Sequence, residues 1–169
     1  MEYCEGTPAS LVGMETTRHF TATVYIVNDG ATALHDHERL GMTIPPGGHV
    51  DRDELPAEAG IREVREETGL EATLLDEPDS IEAPAGRPLP PARHQMLYDI
   101  NVHGGQVGHQ HIDLIYYAAV PSRTISPADG EVAADSWEWY TRNDLLESDL
   151  PEDVVTLGTE AIRAAGSES

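Results

Sequence analysis

The sequence predicts an α/β domain in which helices cover a mixed β-sheet. Segments that alternate apolar and polar residues predict strands, because successive side chains of a strand point to opposite faces. Between them, apolar residues spaced three or four apart predict helices. The two kinds of segment follow one another without a strict strand–helix–strand order, which favours a mixed sheet. At 169 residues the chain is expected to form a single domain over 1–169.

The first half of the chain contains two predicted strands and one helix. "HFTATVYIV" (His19–Val27) alternates, and after the turn "NDG" the segment "ATALHDH" predicts a second strand. The prolines of "IPPGG" are expected to stop regular structure. The helix is predicted over Pro56–Thr68, since proline suits a first turn and Ala57, Ile61, Val64 and Thr68 form an apolar stripe. Gly69 is expected to end it.

The second half predicts a hairpin and a closing helix. A strand-like "LEATLLDE" comes first, followed by the proline-rich loop "EAPAGRPLPPAR". "HQMLYDINVH" and "HQHIDLIYYAAV" alternate on either side of the turn "GGQVG", and a loop then leads to the short strand "WEWY". "PEDVVTLGTEAIRAA" predicts the last helix, begun by Pro151.

The charge composition is strongly acidic. The chain has 31 Asp and Glu against 10 basic residues, a formal net charge of -21, and every basic residue is Arg. Self-repulsion of this size is relieved by salt, so the composition predicts adaptation to a salty (halophilic) cytoplasm. It disfavours binding to nucleic acid, because the phosphate backbone would be repelled.

The termini and the cysteine content predict a cytoplasmic protein. Cys4 is the single cysteine, which excludes an intramolecular disulfide and a cysteine-based zinc site. The start of the chain lacks the basic and apolar regions of a signal peptide. No apolar run approaches the roughly 20 residues of a membrane helix, so no membrane association is expected.

Three glutamates share one face of the predicted helix. Glu63, Glu66 and Glu67 stand at i, i+3 and i+4, and like charges this close are destabilising unless a cation lies among them. Magnesium or manganese is the natural cation, since hard divalent ions take carboxylate oxygens. The alternative is an ordinary solvated helix face in an acid-rich protein.

The residues around these glutamates form a longer pattern over 48–70. Reading from Gly48, five residues lead to Glu54 and seven more to "REVREETGL". This segment resembles the Nudix box of MutT-like hydrolases, G-x5-E-x7-R-E-U-x-E-E-x-G-U, at all nine specified positions. The resemblance implies an α/β/α sandwich that hydrolyses nucleoside diphosphates linked to another moiety with Mg²⁺ or Mn²⁺.

The resemblance also implies roles for individual residues. Glu66 and Glu67 would be the principal metal ligands, and Glu63 would ligate metal or act as general base. Arg62 would orient the glutamates by ion pairing. The carbonyl of Gly48, or of its neighbour Gly47, could complete the coordination. Glu54 would support the helix or reach a metal through water. Glu131 is a candidate further metal ligand, and the alternative is an ordinary acidic residue of a surface loop.

Histidines and arginines are the candidates for substrate binding. His49, His111, Asp113 and Arg93 are expected to line the groove, with Arg39, Arg87 and Arg123 as other sources of phosphate contacts. Two His-x-His patterns, "HDH" and "HQH", also allow zinc binding by the two pairs together. The simpler interpretation is half-buried polar residues of strands.

The expected function is therefore metal-dependent cleavage of a diphosphate bond in a small nucleotide substrate, with an ADP-ribose-like compound favoured over a nucleoside triphosphate. The alternative is a Nudix-fold domain that binds or senses nucleotides without cleaving them. A homodimer is an alternative to the monomer.

Overall fold

A computed structural model of the protein describes residues 16–37 and 41–166. Its strands are β1 (Thr17–Asn28), β2 (Ala31–His37), β3 (Met42–Ile44), β4 (Gly47–His49), β5 (Thr73–Leu74), β6 (His94–His103), β7 (Gln106–Ala119) and β8 (Trp137–Thr141). Its helices are α1 (Pro56–Thr68), α2 (Arg142–Glu147) and α3 (Glu152–Gly166), with a 3-10 turn at Ala134–Ser136. None of the helices in this described part is long and apolar enough to span a membrane.

The strands of the described residues form one mixed sheet, as predicted. Its main order is β3-β2-β1-β7-β5, with β4 paired to β1, β6 to β7 and β8 to β2. β1 and β7 run parallel over eleven residue pairs, from Thr17 opposite His109 to Val27 opposite Ala119. The other pairs are antiparallel. The long β1–β7 ladder therefore fixes which side chains of these two strands share a face.

Helices cover both faces of the sheet, which confirms the predicted α/β/α sandwich. On one face, Ala22, Val24 and Ile26 of β1 pack in a core with Val64 of α1. On the other face, a second core joins residues of β1, β2 and β7 to α2 and α3: Tyr25, Val27, Leu34, Ile115, Tyr117, Leu145, Val154, Leu157 and Ala161. Because successive strand residues point to opposite faces, one strand supplies both cores.

Helix α1 begins at Pro56 and ends at Thr68, as predicted. Gly69 has a φ of 71° and donates its N–H to the carbonyl of Arg65, which is the expected left-handed helix end. The buried residues differ from the predicted stripe, since Ala59, Gly60 and Glu67 are also buried whereas Ile61 is only half-buried. A Cβ on Gly60 would come within 2.8 Å of Val24 Cγ2, so the small residue lets α1 lie close to the sheet.

Several shorter elements differ from the sequence prediction. Only Thr73–Leu74 of the strand-like "LEATLLDE" pairs, with β7. Pro45 and Pro46 interrupt regular structure as predicted, but a strand follows at once, because Gly47–His49 pairs with β1. The hairpin turn is tighter than expected, since β7 already begins at Gln106. Helix α2 was not predicted at all, although Thr141 and Asp144 form a capping box at its start.

Candidate active site

Arg62 donates hydrogen bonds to three carboxylates of the site. Its Nε donates to Glu54 Oε1 at 2.9 Å, and its Nη1 donates to Glu63 Oε1 at 2.8 Å and to Glu66 Oε2 at 3.0 Å. Nη2 reaches the carbonyl of His49 at 3.2 Å and Glu54 Oε2 at 3.1 Å. These contacts raise the pKa of Arg62, Glu54 contributing most, so the guanidinium stays charged and holds the carboxylates in place.

Glu67 is the most deeply buried glutamate of α1. Only 7% of it is exposed, and its Oε1 accepts the N–H of Gly47 at 3.0 Å. Burial, with added repulsion from Glu63, Glu131 and Glu66, raises the pKa of Glu67 to about 8. Burial likewise raises the pKa of Glu63 despite its bond to Arg62. The arrangement therefore brings carboxyl groups together in a place where water cannot stabilise their charged forms.

His35 contacts Glu67 from β2, at 3.5 Å between Nε2 and Oε2. Burial lowers the pKa of His35, and the same burial raises that of Glu67. Both shifts disfavour the charged forms, so near neutral pH this contact joins a neutral imidazole to the carboxyl and does not supply a cation. The imidazole also packs on Trp137, with ring centroids 4.4 Å apart.

The glycine turn brings the backbone of β4 against these glutamates. A Cβ on Gly48 would overlap Oε1 of Glu63, and a Cβ on Gly47 would come within 2.6 Å of the carbonyl oxygen of Ala22. A side chain at Gly47 would collide with backbone, and one at Gly48 would displace the Glu63 carboxylate. The two glycines thus allow the main chain to lie directly beside the carboxylates.

The loop after β7 closes the other end of α1. Ser126 donates its N–H to the carbonyl of Thr68 at 2.8 Å, and Ala128 donates to that of Glu66 at 2.7 Å. These bonds satisfy carbonyls that the end of a helix leaves unpaired. They also hold Glu131 near the site, where its charge raises the pKa of both Glu63 and Glu67. Glu63, Glu66, Glu67 and Glu131 are called the carboxylate cluster below.

The NUDIX domain family matches the chain over residues 17–157, which includes the whole carboxylate cluster. The chain belongs to the Nudix family. No curated protein matches it. A solved NUDIX-family hydrolase from Clostridium perfringens is 35% identical, with a TM-score of 0.77 over 88% of this chain and 99% of that one.

Two more distant structures share the fold. A MutT protein from Bacillus halodurans is 16% identical, with a TM-score of 0.60 over 85% of this chain and 82% of that one. A MutT NUDIX hydrolase from Burkholderia pseudomallei is 21% identical, with a TM-score of 0.55 over 88% of this chain and 98% of that one. At these identities the similarity establishes the Nudix fold alone.

The Nudix carboxylates fit a divalent metal ion. Three carboxylates, those of Glu54, Glu63 and Glu66, share the single guanidinium of Arg62, whereas the buried Glu67 accepts a hydrogen bond from the N–H of Gly47. The oxygen-only donor set suits the hard ions Mg²⁺ and Mn²⁺. An ion here would relieve the repulsion that raises the pKa of Glu67.

The predicted substrate residues His49 and His111 lie together, but with other histidines. Their ring centroids are 4.8 Å apart, and His19 and His109 complete a chain of edge-on ring contacts of 4.7 to 5.4 Å. These four residues are called the histidine cluster below. Burial and the neighbouring rings lower the pKa of His111 to about 4, so the imidazole there is neutral at neutral pH.

The histidine cluster and the carboxylate cluster lie on opposite faces of the sheet. His49 pairs with Thr21, and Gly48 pairs with Ala22, whose side chain lies in the core under α1. Adjacent strand residues point to opposite sides. Gly48 therefore borders Glu63 while His49 projects to the α3 side.

Asp113 is buried next to the histidine cluster. Its Oδ1 accepts the hydroxyls of Thr21 at 2.8 Å and Thr23 at 3.0 Å, and its Oδ2 accepts that of Thr23 at 2.9 Å. Burial raises the pKa of Asp113 even so. Only 6% of the residue is exposed, so these hydroxyls satisfy the carboxylate within the protein.

Two of the predicted arginines, Arg93 and Arg123, are engaged in other contacts. Arg93 donates its Nε to Asp76 at 2.5 Å, and its guanidinium lies 5.7 Å from the centre of the Tyr117 ring. Arg123 donates to the carbonyls of Asn28 and Asp29 in the turn after β1. Arg39 lies outside the described residues.

The two His-x-His patterns do not come together as pairs. His35 of the first pattern packs on Trp137 and contacts Glu67, whereas His109 and His111 join His19 and His49. Sequence reasoning missed His19 as a member of the histidine cluster and His35 as a neighbour of Glu67. Only the strand pairing could have revealed them, because each is isolated in sequence from the residues it meets.

Proposed function

We propose that this Nudix protein hydrolyses the diphosphate bond of a nucleoside diphosphate linked to a second group, using Mg²⁺ or Mn²⁺. The supporting observation is Glu67, a buried carboxylate surrounded by Glu63, Glu66 and Glu131. A purely structural helix face would not bury like charges together without a cation between them.

Each residue of the site has a defined task under this proposal. Glu66 and Glu67 hold the divalent cation, together with Glu131 and the carbonyl of Gly48. When bound, the cation offsets diphosphate charge and lowers the pKa of an attacking water. Glu63 ligates as well or accepts the proton of that water, and its raised pKa makes it a better proton acceptor than an exposed glutamate.

Arg62 positions these groups. Its contacts to Glu54, Glu63 and Glu66 fix the carboxylates before substrate arrives, which spares their reorganisation during the reaction. Its bond to the carbonyl of His49 ties the glycine turn to the same helix. The carboxylates and the main chain of the glycine turn are thereby held in fixed positions around the place proposed for the phosphoryl group.

A groove beside β4 is the candidate place for the nucleotide. It has a volume of about 680 Å³ and is lined in part by Arg18, Phe20, His49, Arg52 and Glu54. This size suits a small-molecule site. The arginines provide charge for phosphates, and Phe20, 53% exposed, offers a face for stacking a base.

Of the other predicted substrate residues, His111, whose ring lies 4.8 Å from that of His49, is proposed to act at the edge of this groove. Asp113 is instead bonded to Thr21 and Thr23, and Arg93 is bonded to Asp76. We favour an ADP-ribose-like substrate over a nucleoside triphosphate. His49 is the residue that belongs to both the groove and the histidine cluster.

A substrate panel tests the proposal. Nucleoside diphosphate derivatives, nucleoside triphosphates and phosphate monoesters are incubated with the protein and Mg²⁺ in molar potassium chloride, and products are separated chromatographically. We expect a nucleoside monophosphate and a phosphorylated second product, with monoesters inert because they lack a phosphoryl leaving group. Binding of these nucleotides by calorimetry without any turnover would instead identify a binding domain.

The bond that breaks is identified by hydrolysis in oxygen-18 water. Attack at phosphorus places the label on a product phosphate, as mass spectrometry would show. Label on a sugar carbon would mean glycosidic cleavage and would contradict the proposal.

A further inference from the structure

We propose that His19, His49 and His109 form a binding site for a zinc-class transition-metal ion, separate from the carboxylate cluster. Each residue offers a ring nitrogen, and these atoms all lie within 4.8 Å of one another. The inference does not depend on the hydrolytic function, because it concerns other residues on the other face of the sheet.

Strand pairing explains why these histidines meet. His19 on β1 stands opposite His111 on β7, and the neighbouring same-face pair is Thr17 opposite His109. On the other side of β1, His49 stands opposite Thr21. Partners in these ladders share a face, so three strands deliver four imidazoles to one spot. The parallel ladder of β1 and β7 fixes this register over its full length.

The ring positions are close to those of a metal site. Zinc binds imidazole nitrogen at about 2.0–2.1 Å, which places tetrahedral ligand atoms roughly 3.4 Å apart. The residues His19 and His49 are exposed, so small side-chain rotations can close the remaining distance. His111, whose ring lies 4.8 Å from that of His49 and 5.1 Å from that of His109, is in position to be a fourth ligand.

One ring is already oriented. The hydroxyl of Thr17 lies 2.8 Å from Nδ1 of His109, which leaves Nε2 as the nitrogen available to a metal. A hydrogen bond to the second ring nitrogen is what normally orients a metal-binding histidine. Thr17 is thus part of the proposed site without touching the ion.

The donor atoms distinguish this site from the carboxylate cluster. Imidazole suits zinc, copper and nickel, whereas carboxylate oxygens suit magnesium and manganese. The two sites are therefore expected to select different ions from the same solution. Ligands from β1, β4 and β7 would also join three strands, so a bound ion should stabilise the fold.

Cobalt and zinc titrations test the site. A Cys4→Ser background removes the single thiol, and millimolar Mg²⁺ occupies the carboxylates. We expect one equivalent of Co²⁺ to give visible d–d absorption that Zn²⁺ abolishes in competition. His19→Ala and His109→Ala should each weaken Zn²⁺ binding at least about tenfold, since even loss of a residue that merely orients a ligand has an effect of this size.

The matched control is His94→Ala, whose residue lies opposite Ile115, further along β7. It should bind Zn²⁺ like the parent, as should Glu67→Gln. Wild-type affinity in both His19→Ala and His109→Ala would overturn the proposal, as would an equal loss in His94→Ala or loss of binding in Glu67→Gln. Should His109→Ala fail to fold, as judged by circular dichroism, His19→Ala alone decides, because its residue is exposed.

Discussion

The carboxylate cluster and the histidine cluster lie on opposite faces of one sheet and differ in how firmly they are held. Two consecutive residues of β4 link them: Gly48 borders Glu63 of the carboxylate cluster, and His49 belongs to the histidine cluster. On the α1 side, charged oxygens are fixed by Arg62 and by the N–H of Gly47. On the α3 side, imidazoles are more exposed, and the contact with Thr17 orients one of them.

This difference shows what a preorganised site requires. Burial and repulsion between like charges destabilise the carboxylate cluster when no cation is bound. Neighbouring groups therefore have to hold its side chains in place. The histidine cluster needs less support, because its side chains are exposed or half-buried and remain in contact with water. Changes on the α1 side should therefore have larger effects than changes on the α3 side.

The largest effect is expected for Glu67→Gln. Loss of the buried charged ligand should lower kcat about a hundredfold or more, equivalent to ~2.7 kcal/mol of transition-state stabilisation. The control is Glu71→Gln, which changes an exposed glutamate paired with Arg65 outside the site. Steady-state kinetics giving equal turnover for both variants would rule out Glu67 as a metal ligand.

Salt should have the next largest effect, and it acts on stability. With a net charge of -21, the melting temperature should rise between low and molar potassium chloride as repulsion is screened. We expect a rise on the order of 10 °C, which for a domain of this size corresponds to a few kcal/mol. Circular dichroism melts that do not respond to salt would contradict both this expectation and the salt adaptation predicted from the composition.

Magnesium distinguishes stabilisation by binding at the carboxylate cluster from stabilisation by general screening of charge. At low salt, millimolar Mg²⁺ should recover part of the lost melting temperature in the wild-type protein by binding the carboxylate cluster. Glu67→Gln should show a smaller recovery. Equal recovery in both proteins would mean that the ion acts only by general screening.

Gly48→Ala should impair turnover more than stability. The added methyl group would overlap Oε1 of Glu63, and that flexible side chain can move away at little cost to the fold. We expect kcat to fall about tenfold, or ~1.4 kcal/mol, with a melting temperature within about 3 °C of wild type. Gly86→Ala, where the nearest atom is Ala83 Cβ at 3.8 Å, is the control and should retain full activity.

The smallest effect on turnover is expected for His109→Ala. Its ring belongs to the α3 side, so kcat in Mg²⁺ should stay within about twofold, ~0.4 kcal/mol. A tenfold fall in the same assay would mean that the two clusters are coupled through β4, and the contrast drawn above would then be wrong.

The sequence predicted well those features that depend on local chemistry. Pro56 and Gly69 bracket α1 at its observed ends, and the i, i+3, i+4 spacing of Glu63, Glu66 and Glu67 places them together whatever the rest of the fold. Phe20 shows the limit of such patterns. It alternates with core residues, yet it is 53% exposed, because the helices do not extend over that end of β1.

Features that depend on strand pairing could not be predicted. The histidine cluster requires the parallel register of β1 and β7, which neither strand encodes by itself. Gly47–His49 becomes a strand only because β1 offers an edge to it. Helix α2, by contrast, could have been predicted from the sequence. The pattern "TRND" forms a capping box at the start of this six-residue helix.

Manganese binding measured by electron paramagnetic resonance is the most direct test of the central claim, that the carboxylate cluster is the metal centre of this Nudix protein. Titrating Mn²⁺ should show tight binding in the wild-type protein and in His109→Ala, and a loss of that binding in Glu67→Gln. Tight binding that survives Glu67→Gln but disappears in His109→Ala would place the metal centre on the opposite face of the sheet and contradict the account.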